Sequence, residues 1–378
     1  MNQLNKNNIV VAIYFHPEAY PPTLNAVGEL SKIFDSISLI HRPHLETDWN
    51  FAKNITLIPS GNEMTIKQQE ESNVFIKAFI FCQFCFKLLQ QIVKQKPKVV
   101  LVYDPIPLFA LKLIRPLISK KTKLWYHNHD IAEINLTRKF SIGWFACKYE
   151  HSMFEYLYIF SLPALERKQY FPLEKINGEF FFLPNYPSIQ FYSQFRRNVR
   201  FNNENRIKLI YQGAVSKGHG LEKINSLLGR LNAELHIVGR INREYEGILE
   251  LNSYTNNLKF YNHVSYIKLP KITSSCDIGL AINEPTNIIY STGGTASNKI
   301  YEYAACGLPI LYYDNEHYNL HLGKYEWAFS TDLSQQSLEF NINKIVTNYE
   351  YYSRKAKEDF NRDFNYEKVF EPVKQYLV

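Results

Sequence analysis

A single carboxylate stands just inside a predicted helix that begins beneath a small polar loop. Thr295, Ser297 or Asn298 can cap this helix, and Gly307 can end it. The unpaired amides of its first turn carry partial positive charge, which suits a diphosphate. Glu302 lies one turn further in, where its carboxylate can accept hydrogen bonds from ribose hydroxyls of the same ligand. The stretch therefore predicts a nucleotide-sugar site, and the alternative is an ordinary amphipathic helix with Glu302 in solvent.

A glycine-containing turn follows the first strand predicted in the second half of the chain, residues 208–211. Gly213 and Gly218 allow the backbone to turn tightly and its amides to approach an anion. Lys217 can reach phosphate oxygens on its flexible stem, and a protonated His219 can add a second donor. The turn predicts further diphosphate contacts, and the alternative is that both side chains face solvent.

Short apolar runs alternate with helical segments through both halves of the chain. This alternation predicts two parallel α/β sheets covered by helices, each a Rossmann-like domain. Ligands of such sheets bind beyond the carboxyl ends of the strands, so two sheets facing each other would bind theirs in the cleft between them. The predicted strands are residues 9–15, 36–39, 55–58, 98–103, 123–127 and 157–161, then 208–211, 234–238, 258–260, 278–281 and 310–313.

The composition fits a well-packed protein of two domains. At 378 residues the chain is too long for one ordinary core, and 46% of its residues are hydrophobic. The net charge of +7 is uneven, since residues 1–190 hold 21 Lys and Arg against 16 Asp and Glu. This excess indicates either a solvated surface or attraction to anionic lipid headgroups or pyrophosphate-linked acceptors. Nucleic acid is disfavoured, because no recognition motif accompanies the charge.

Several features indicate a cytoplasmic location. The five cysteines are odd in number and lie mostly in apolar surroundings, which is typical of reduced thiols. The polar segment 1–8 lacks the apolar core of a signal peptide. Residues 74–93 are the most apolar stretch, but Lys77 and Lys87 interrupt it, so it predicts a buried or interfacial helix rather than a membrane span.

The stretch from Ser297 to Pro309 resembles the Pro-Asn-Lys-x-x-Glu-Tyr-x-Ala-x-Gly-x-Pro variant of the donor-binding motif in GT-B glycosyltransferases of the GT4 type. The resemblance implies that the loop and first turn of this helix, including Lys299, bind the nucleotide-sugar donor, and that Glu302 contacts its ribose. It also implies that Glu284, after the strand 278–281, approaches the nucleotide base.

The chain departs from the family at three positions. The first of the family's two motif glutamates would fall on Gly294, which with Gly293 could instead let the backbone approach a phosphate or sugar. The arginine and lysine that grip the diphosphate in the family correspond to Ala214 and His219. These departures leave the nucleotide site expected, but they remove the side chain that contacts the transferred sugar in the family.

Two segments of the first half match the acceptor side of the same family. Residues 125–133 are similar to its His-[Asp/Glu]-x-x-x-Glu segment, whose histidine lies near the transferred sugar. The match places His129 there, with Asp130 beside it. The alternative is a histidine packed at a strand end. Tyr20 and Asn25 lie in the loop that in the family shapes the acceptor pocket, and the Asn25 amide offers both a donor and an acceptor.

Taken together, the pattern and the resemblance imply a GT-B fold, in which two Rossmann-like domains face each other across a cleft. The predicted divisions are an acceptor-side domain at residues 1–190, a linker at 191–206, a nucleotide-sugar domain at 207–360, and a terminal helix at 361–378 that crosses back to the first domain.

The implied activity is retaining, metal-independent transfer of a sugar from a nucleotide donor to a saccharide or lipid-linked acceptor, without a cofactor. His129, Lys217 and Glu302 are the predicted catalytic residues. The expected setting is bacterial surface-polysaccharide synthesis in the cytoplasm, with peripheral membrane contact through the first domain. The alternatives are a sugar-nucleotide epimerase or hydrolase, a non-catalytic protein of the same fold, and a basic membrane-binding module.

Overall fold

The computed structural model describes residues 7–44, 48–195, 206–215, 218–241, 245, 247 and 257–378. The chain divides into two compact units, one formed by residues 1–184 with 369–378 and the other by residues 185–368. Each unit has a parallel sheet covered by helices, so the predicted α/β fold of two Rossmann-like domains is confirmed.

The described part of the first unit contains a seven-stranded parallel sheet in the order β3-β2-β1-β4-β5-β6-β7. Its strand order reverses between β1 and β4, which is where ligands of such sheets bind. The strands are β1 Asn8–Ile13, β2 Ser36–His41, β3 Ile55–Pro59, β4 Val99–Tyr103, β5 Lys123–His127, β6 Ile159–Leu162 and β7 Glu179–Phe182.

Helices of the first unit cover its sheet. Helices α3 and α4 contribute Phe84, Leu88, Leu108 and Leu111 to a core that includes Val100 of β4. The helices are α1 Pro21–Leu30, α2 Ile66–Glu71, α3 Val74–Gln95, α4 Pro105–Ile114 and α5 Ile142–Tyr149.

The described part of the second unit contains a six-stranded parallel sheet in the order β10-β9-β8-β11-β12-β13. The reversal of strand order lies between β8 and β11, so the carboxyl ends of these strands mark its ligand-binding edge. The strands are β8 Ile207–Gln212, β9 Ala233–Val238, β10 Leu258–Phe260, β11 Ile278–Ala281, β12 Ile310–Tyr313 and β13 Ala328–Thr331.

The helices in the described part of the second unit are mostly short before residue 330 and longer after it. They are α6 Ile189–Tyr192, α7 Leu221–Asn225, α8 Leu269–Thr273, α9 Ile288–Ser291, α10 Asn298–Cys306, α11 Glu316–Leu322, α12 Gln335–Thr347 and α13 Tyr349–Asp363. The helix α14 Tyr366–Leu377 follows, and its residues from Val369 onward belong to the first unit.

The units divide after Pro184 rather than after residue 190 as predicted. The reason is that Asn185 already bonds within the second unit: its amide donates to the Thr295 carbonyl at 2.9 Å and its Nδ2 to the Ala296 carbonyl at 2.7 Å. Of the predicted linker, residues 196–205 lie outside the described residues, whereas residues 191 and 192 form the end of α6.

The end of α14 is held in the first unit by an aromatic stack and an ion pair. The ring of Phe370 lies 6.1 Å from that of Trp125 in β5. Lys374 Nζ lies 3.1 Å from Glu29 Oε2 in α1. Both Phe370 and Trp125 are buried, so this segment is part of the first unit's core.

Candidate functional site

The helix α10 begins at the carboxyl-end edge of the second sheet without a side-chain cap. Ser297 occupies the cap position in extended conformation but makes no capping hydrogen bond. Among the described residues, Oδ1 of Asn298 is a buried acceptor without a hydrogen-bond partner. Gly307 ends the helix at φ +79°, the left-handed conformation expected of a glycine there. The amides of the first turn therefore have no side-chain acceptor at the cap and can receive an anion.

Glu302 is buried, which excludes the alternative of a solvent-exposed carboxylate. Only 4% of the residue is exposed. Burial raises the pKa of its carboxyl to about 7, while the nearby Tyr266 hydroxyl and the charge of Lys299 oppose the rise. A carboxyl group that titrates near neutrality can bind hydroxyl groups in its ionised form.

Lys299 lies where α10 meets the end of β8. Its Nζ is 4.0 Å above the centre of the Tyr211 ring, and a Cβ on Gly213 would lie 3.6 Å from the same nitrogen. Burial lowers the pKa of Lys299 to about 7, and the Glu302 carboxylate opposes this effect. An anion bound beside Lys299 would favour its charged form, so the lysine can bind phosphate oxygens.

The turn after β8 is glycine-rich because two backbones approach closely there. Gly213 has φ +119° and Gly239, after β9, has φ +135°. A Cβ on Gly239 would lie 2.1 Å from the Gly213 carbonyl oxygen, a distance no side chain can accept. Lys217, the predicted phosphate ligand of this turn, lies outside the described residues.

His219 is buried between two tyrosine hydroxyls, an environment that disfavours the protonated form in which it was predicted to donate to the diphosphate. Its Nδ1 lies 3.0 Å from the Tyr211 hydroxyl and its Nε2 lies 3.1 Å from the Tyr290 hydroxyl. Burial lowers the pKa of His219 to about 4, and the positive charge of Lys299 lowers it further. Lys299 is therefore the cation that the described residues place at this turn.

Gly293 and Gly294 pack closely against α11. A Cβ on Gly294 would lie 2.7 Å from the His321 ring, and one on Gly293 would lie 2.6 Å from the Tyr318 hydroxyl. A glutamate at position 294 would have to displace α11. The first of the family's two motif glutamates is therefore excluded from this position by steric conflict with α11.

The other predicted donor residues surround this site at its edges. Thr295 is buried, and its carbonyl accepts the Asn185 amide, which fixes the loop before α10. The amide of Glu284 donates to the Gly218 carbonyl at 3.2 Å, which places Glu284 beside the glycine-rich turn. Its carboxylate, however, pairs with Lys223 at 3.2 Å.

In the first unit, His129 is enclosed between two aromatic rings at the carboxyl ends of β1, β4 and β5. The rings of Tyr20 and Tyr103 stack on the imidazole with centroid distances of 4.9 and 4.8 Å. Its Nε2 lies 3.2 Å from Thr23 Oγ1. The predicted Tyr20 and His129 thus come together, whereas Asn25 is buried within α1.

Asp104 orients His129 and was missed by the sequence analysis. One of its carboxylate oxygens accepts the His129 amide at 2.8 Å, and the other lies 3.0 Å from His129 Nδ1. Its backbone has φ +67° and ψ 167°, a region that only glycine adopts readily. Strain of this kind accumulates at functional sites, because the surrounding structure must hold it in place.

A buried arginine fixes the loop that carries His129. Arg167 is fully buried; its Nη1 donates to the His129 carbonyl at 2.5 Å and lies 3.6 Å from Asp130 Oδ1. The Asp130 side chain is about half exposed. Asp130 is thus paired with Arg167 beside His129, where one of its faces remains open to solvent.

Part of the second unit matches the sequence model of a known protein family. Residues 220–370 match the sequence model of a family described as glycosyl transferase-like. The matched range contains α10, Lys299 and Glu302. No curated protein matches the chain.

Solved structures match along nearly the whole chain. Sucrose-phosphate synthase of Thermosynechococcus elongatus has a TM-score of 0.72 at 12% identity, covering 98% of both chains. HepE of Anabaena in complex with UDP and glucose has a TM-score of 0.64 at 12% identity, covering 98% of this chain and 99% of its own. A putative UDP-N-acetylglucosamine 2-epimerase of Listeria monocytogenes has a TM-score of 0.61 at 11% identity, covering 97% of this chain and 95% of its own. The chain therefore has the GT-B fold.

Proposed function

We propose that this protein is a glycosyltransferase of the GT4 type that moves a sugar from a nucleotide donor to a saccharide or lipid-linked acceptor. The observation that carries the proposal is the convergence of three groups in the second unit. The uncapped amides of α10, the Lys299 ammonium and the buried Glu302 carboxylate all lie in or beside one helical turn. Amides and ammonium suit a diphosphate, and the carboxylate suits ribose hydroxyls.

A UDP-sugar is the first donor to test. HepE, which shares the fold, binds UDP and UDP-glucose. At 12% identity this likeness extends to the fold alone.

The proposed chemistry needs no metal or cofactor. Charge that develops on the leaving diphosphate would be stabilised by Lys299 and by the first amides of α10, which are in place before the reaction. In a retaining transfer the donor phosphate itself would take the proton of the acceptor hydroxyl, so no protein nucleophile is required. His129, held by Asp104, would orient a hydroxyl of the transferred sugar or of the acceptor.

The setting we propose is synthesis of a bacterial surface polysaccharide at the cytoplasmic side of the membrane. The basic excess of the first half and the apolar helix α3 support a lipid-linked acceptor. The polysaccharide role rests on analogy with proteins of the same fold.

An epimerase or hydrolase that consumes a nucleotide sugar without an acceptor is the second candidate. The Asp104–His129 pair favours it, because an imidazole fixed by a carboxylate can act as a general base on a bound sugar. Analysis of products formed from a UDP-sugar with and without acceptor oligosaccharides separates the two candidates.

The test is calorimetric titration of the protein with UDP, GDP, ADP, CMP and TDP. We expect one nucleotide to bind, and Glu302→Ala to weaken its binding by about 1.5–3 kcal/mol because a charge-assisted hydrogen bond to hydroxyls is lost. Lys299→Ala should weaken binding of the same nucleotide.

Lys344→Ala is the matched control, since Lys344 also lies over an aromatic ring, Phe329, in the second unit. Its affinity should equal that of the parent protein. Failure of all five nucleotides to bind would overturn the proposal in favour of a non-catalytic protein of this fold.

A further inference from the structure

Helix α3 has two apolar stripes on opposite sides. One stripe contains Phe84 and Leu88 and is buried against the first sheet. The other contains Phe75, Phe79 and Phe86, which are 86%, 70% and 64% exposed. These three residues are spaced by four and seven positions, so they lie on one face of the helix. Exposed aromatic side chains in such a row indicate an interaction surface rather than scattered surface residues.

The apolar surface continues onto the neighbouring elements. Helix α4 packs between α3 and α5, since the ring of Phe109 stacks on Phe81 at 5.7 Å and on Phe145 at 6.4 Å. The large exposed side chains here are Leu113 and Leu117 of α4 and its following turn, and Leu136 and Phe140 of the segment before α5. We call the outer side of α3, α4, this segment and α5 the basic apolar surface.

The charges of this surface have a single sign. Residues 74–96, 105–121 and 134–149 contain eleven Lys and Arg and no Asp or Glu. Lys94, Lys120, Lys121, Arg138 and Lys139 among them are exposed. Basic side chains beside exposed aromatics match a membrane whose headgroups are anionic and whose interior is apolar.

We propose that the basic apolar surface docks on a bilayer of anionic phospholipids, with the phenylalanines of α3 at the boundary between headgroups and acyl chains. The helix does not span the bilayer, although it is long and apolar enough, because Phe84 and Leu88 belong to the core of the first unit. A second copy of the chain fits poorly, because a symmetric contact would place the exposed cations of each copy against those of the other.

The docked surface adjoins the candidate acceptor site through a single short segment. Residues 129–136 lead from His129 to the exposed Leu136. Docking would therefore bring the loop that carries His129 close to the lipid headgroups. The inference does not depend on the proposed transfer, since lipid binding is measurable without any donor.

The test is co-sedimentation of the full chain with vesicles of phosphatidylcholine alone and with vesicles that also contain about 30% phosphatidylglycerol. We expect binding to the anionic vesicles to be at least about tenfold stronger and to fall when salt is raised. The triple variant Phe75→Ser, Phe79→Ser, Phe86→Ser should lose at least about tenfold of that binding. Lys120→Glu with Lys121→Glu should weaken binding to the anionic vesicles only.

Leu320→Ser with Phe340→Ser is the matched control, because these side chains of the second unit are similarly exposed. All variants should keep the parent melting temperature, since the changed side chains are on the surface. Equal binding of parent and triple variant, or equal binding to both kinds of vesicle, would overturn the proposal. It would also be overturned if sedimentation velocity showed a dimer that the triple variant dissociates.

Discussion

Asp104 holds both the backbone and the imidazole of His129, and it does so from a backbone conformation that costs about 1–3 kcal/mol. No signal in the sequence gives that conformation directly. The residue does follow a buried strand and precede Pro105, and a polar residue at that edge of a parallel sheet is a reasonable candidate for a site.

We expect Asp104→Asn to reduce kcat by at least about 10²-fold, because the neutral amide no longer fixes the imidazole by a charge-assisted bond. The melting temperature should change little, since the side chain keeps its shape and one acceptor oxygen. The measurement is release of nucleoside diphosphate under saturating donor, with Asp332→Asn as a surface control. An unchanged kcat would show that His129 does not act in the reaction.

The two titrating groups of α10 predict how nucleotide affinity depends on pH. Lys299 has a pKa of about 7 and binds an anion when protonated, so affinity should fall as pH rises above 7. Glu302 also has a pKa of about 7 and binds hydroxyls when ionised, so affinity should fall as pH decreases below 7. Calorimetry across pH 5–9 should therefore give a maximum near neutrality.

Lys299→Arg tests whether deprotonation of Lys299 causes the loss of affinity above pH 7, because arginine stays charged from pH 5 to 9. The variant should lose the decrease above pH 7 and keep the decrease below it. A profile that is flat above pH 7 in the parent protein would contradict the role of Lys299.

At the scale of elements, the close packing of Gly293 and Gly294 against α11 can be tested by measuring the stability of a variant. Gly294→Ala should lower the free energy of unfolding by about 1–3 kcal/mol, because its Cβ would lie 2.7 Å from the His321 ring. Gly229→Ala is the matched control, since a Cβ there meets nothing within 4 Å. Denaturant unfolding of the two variants measures the difference, and equal stability would show that α11 moves freely.

The sequence predicted most strands but missed two at the sheet edges. Strand β13, Ala328–Thr331, has exposed Ser330 between buried neighbours, so it gives a weak apolar signal. Strand β7, Glu179–Phe182, was not predicted, because it is only four residues long and Pro184 and Pro187 follow it closely. Central strands such as Val99–Tyr103 are buried along their whole length and were predicted from their apolar runs.

The sequence predicted only those parts of the candidate site whose residues lie in a single segment of the chain. Lys299 and Glu302 lie three positions apart in one helix, so their proximity follows from helical spacing. Tyr266, whose hydroxyl lies near Glu302, comes from a segment more than thirty positions earlier. His219 stands where the family has a phosphate-binding lysine. Its burial between Tyr211 and Tyr290 could not be predicted, because Tyr290 is distant in the sequence.

At the scale of the whole molecule, a substitution in α14 tests whether this last helix contributes to the core of the first unit. Phe370→Ala should lower the free energy of unfolding of the first unit by about 3–5 kcal/mol, because the ring is fully buried against Trp125. Phe340→Ala, in the second unit, changes an exposed ring and should alter stability by no more than about 0.5 kcal/mol. Tryptophan fluorescence during denaturant unfolding measures the change; equal midpoints for both variants would show that α14 contributes nothing to this core.

Because the end of α14 belongs to the first unit, that unit cannot finish folding on the ribosome until α14 has been synthesised. Residues 369–378 are synthesised after the whole second unit, which separates them from Pro184 by about 180 residues. At about 5–20 residues per second, the first unit waits roughly 10–35 s for its last element. During that time the face of β5 that Phe370 will cover is exposed, so a nascent chain of this protein offers a binding site to chaperones until translation has passed α14.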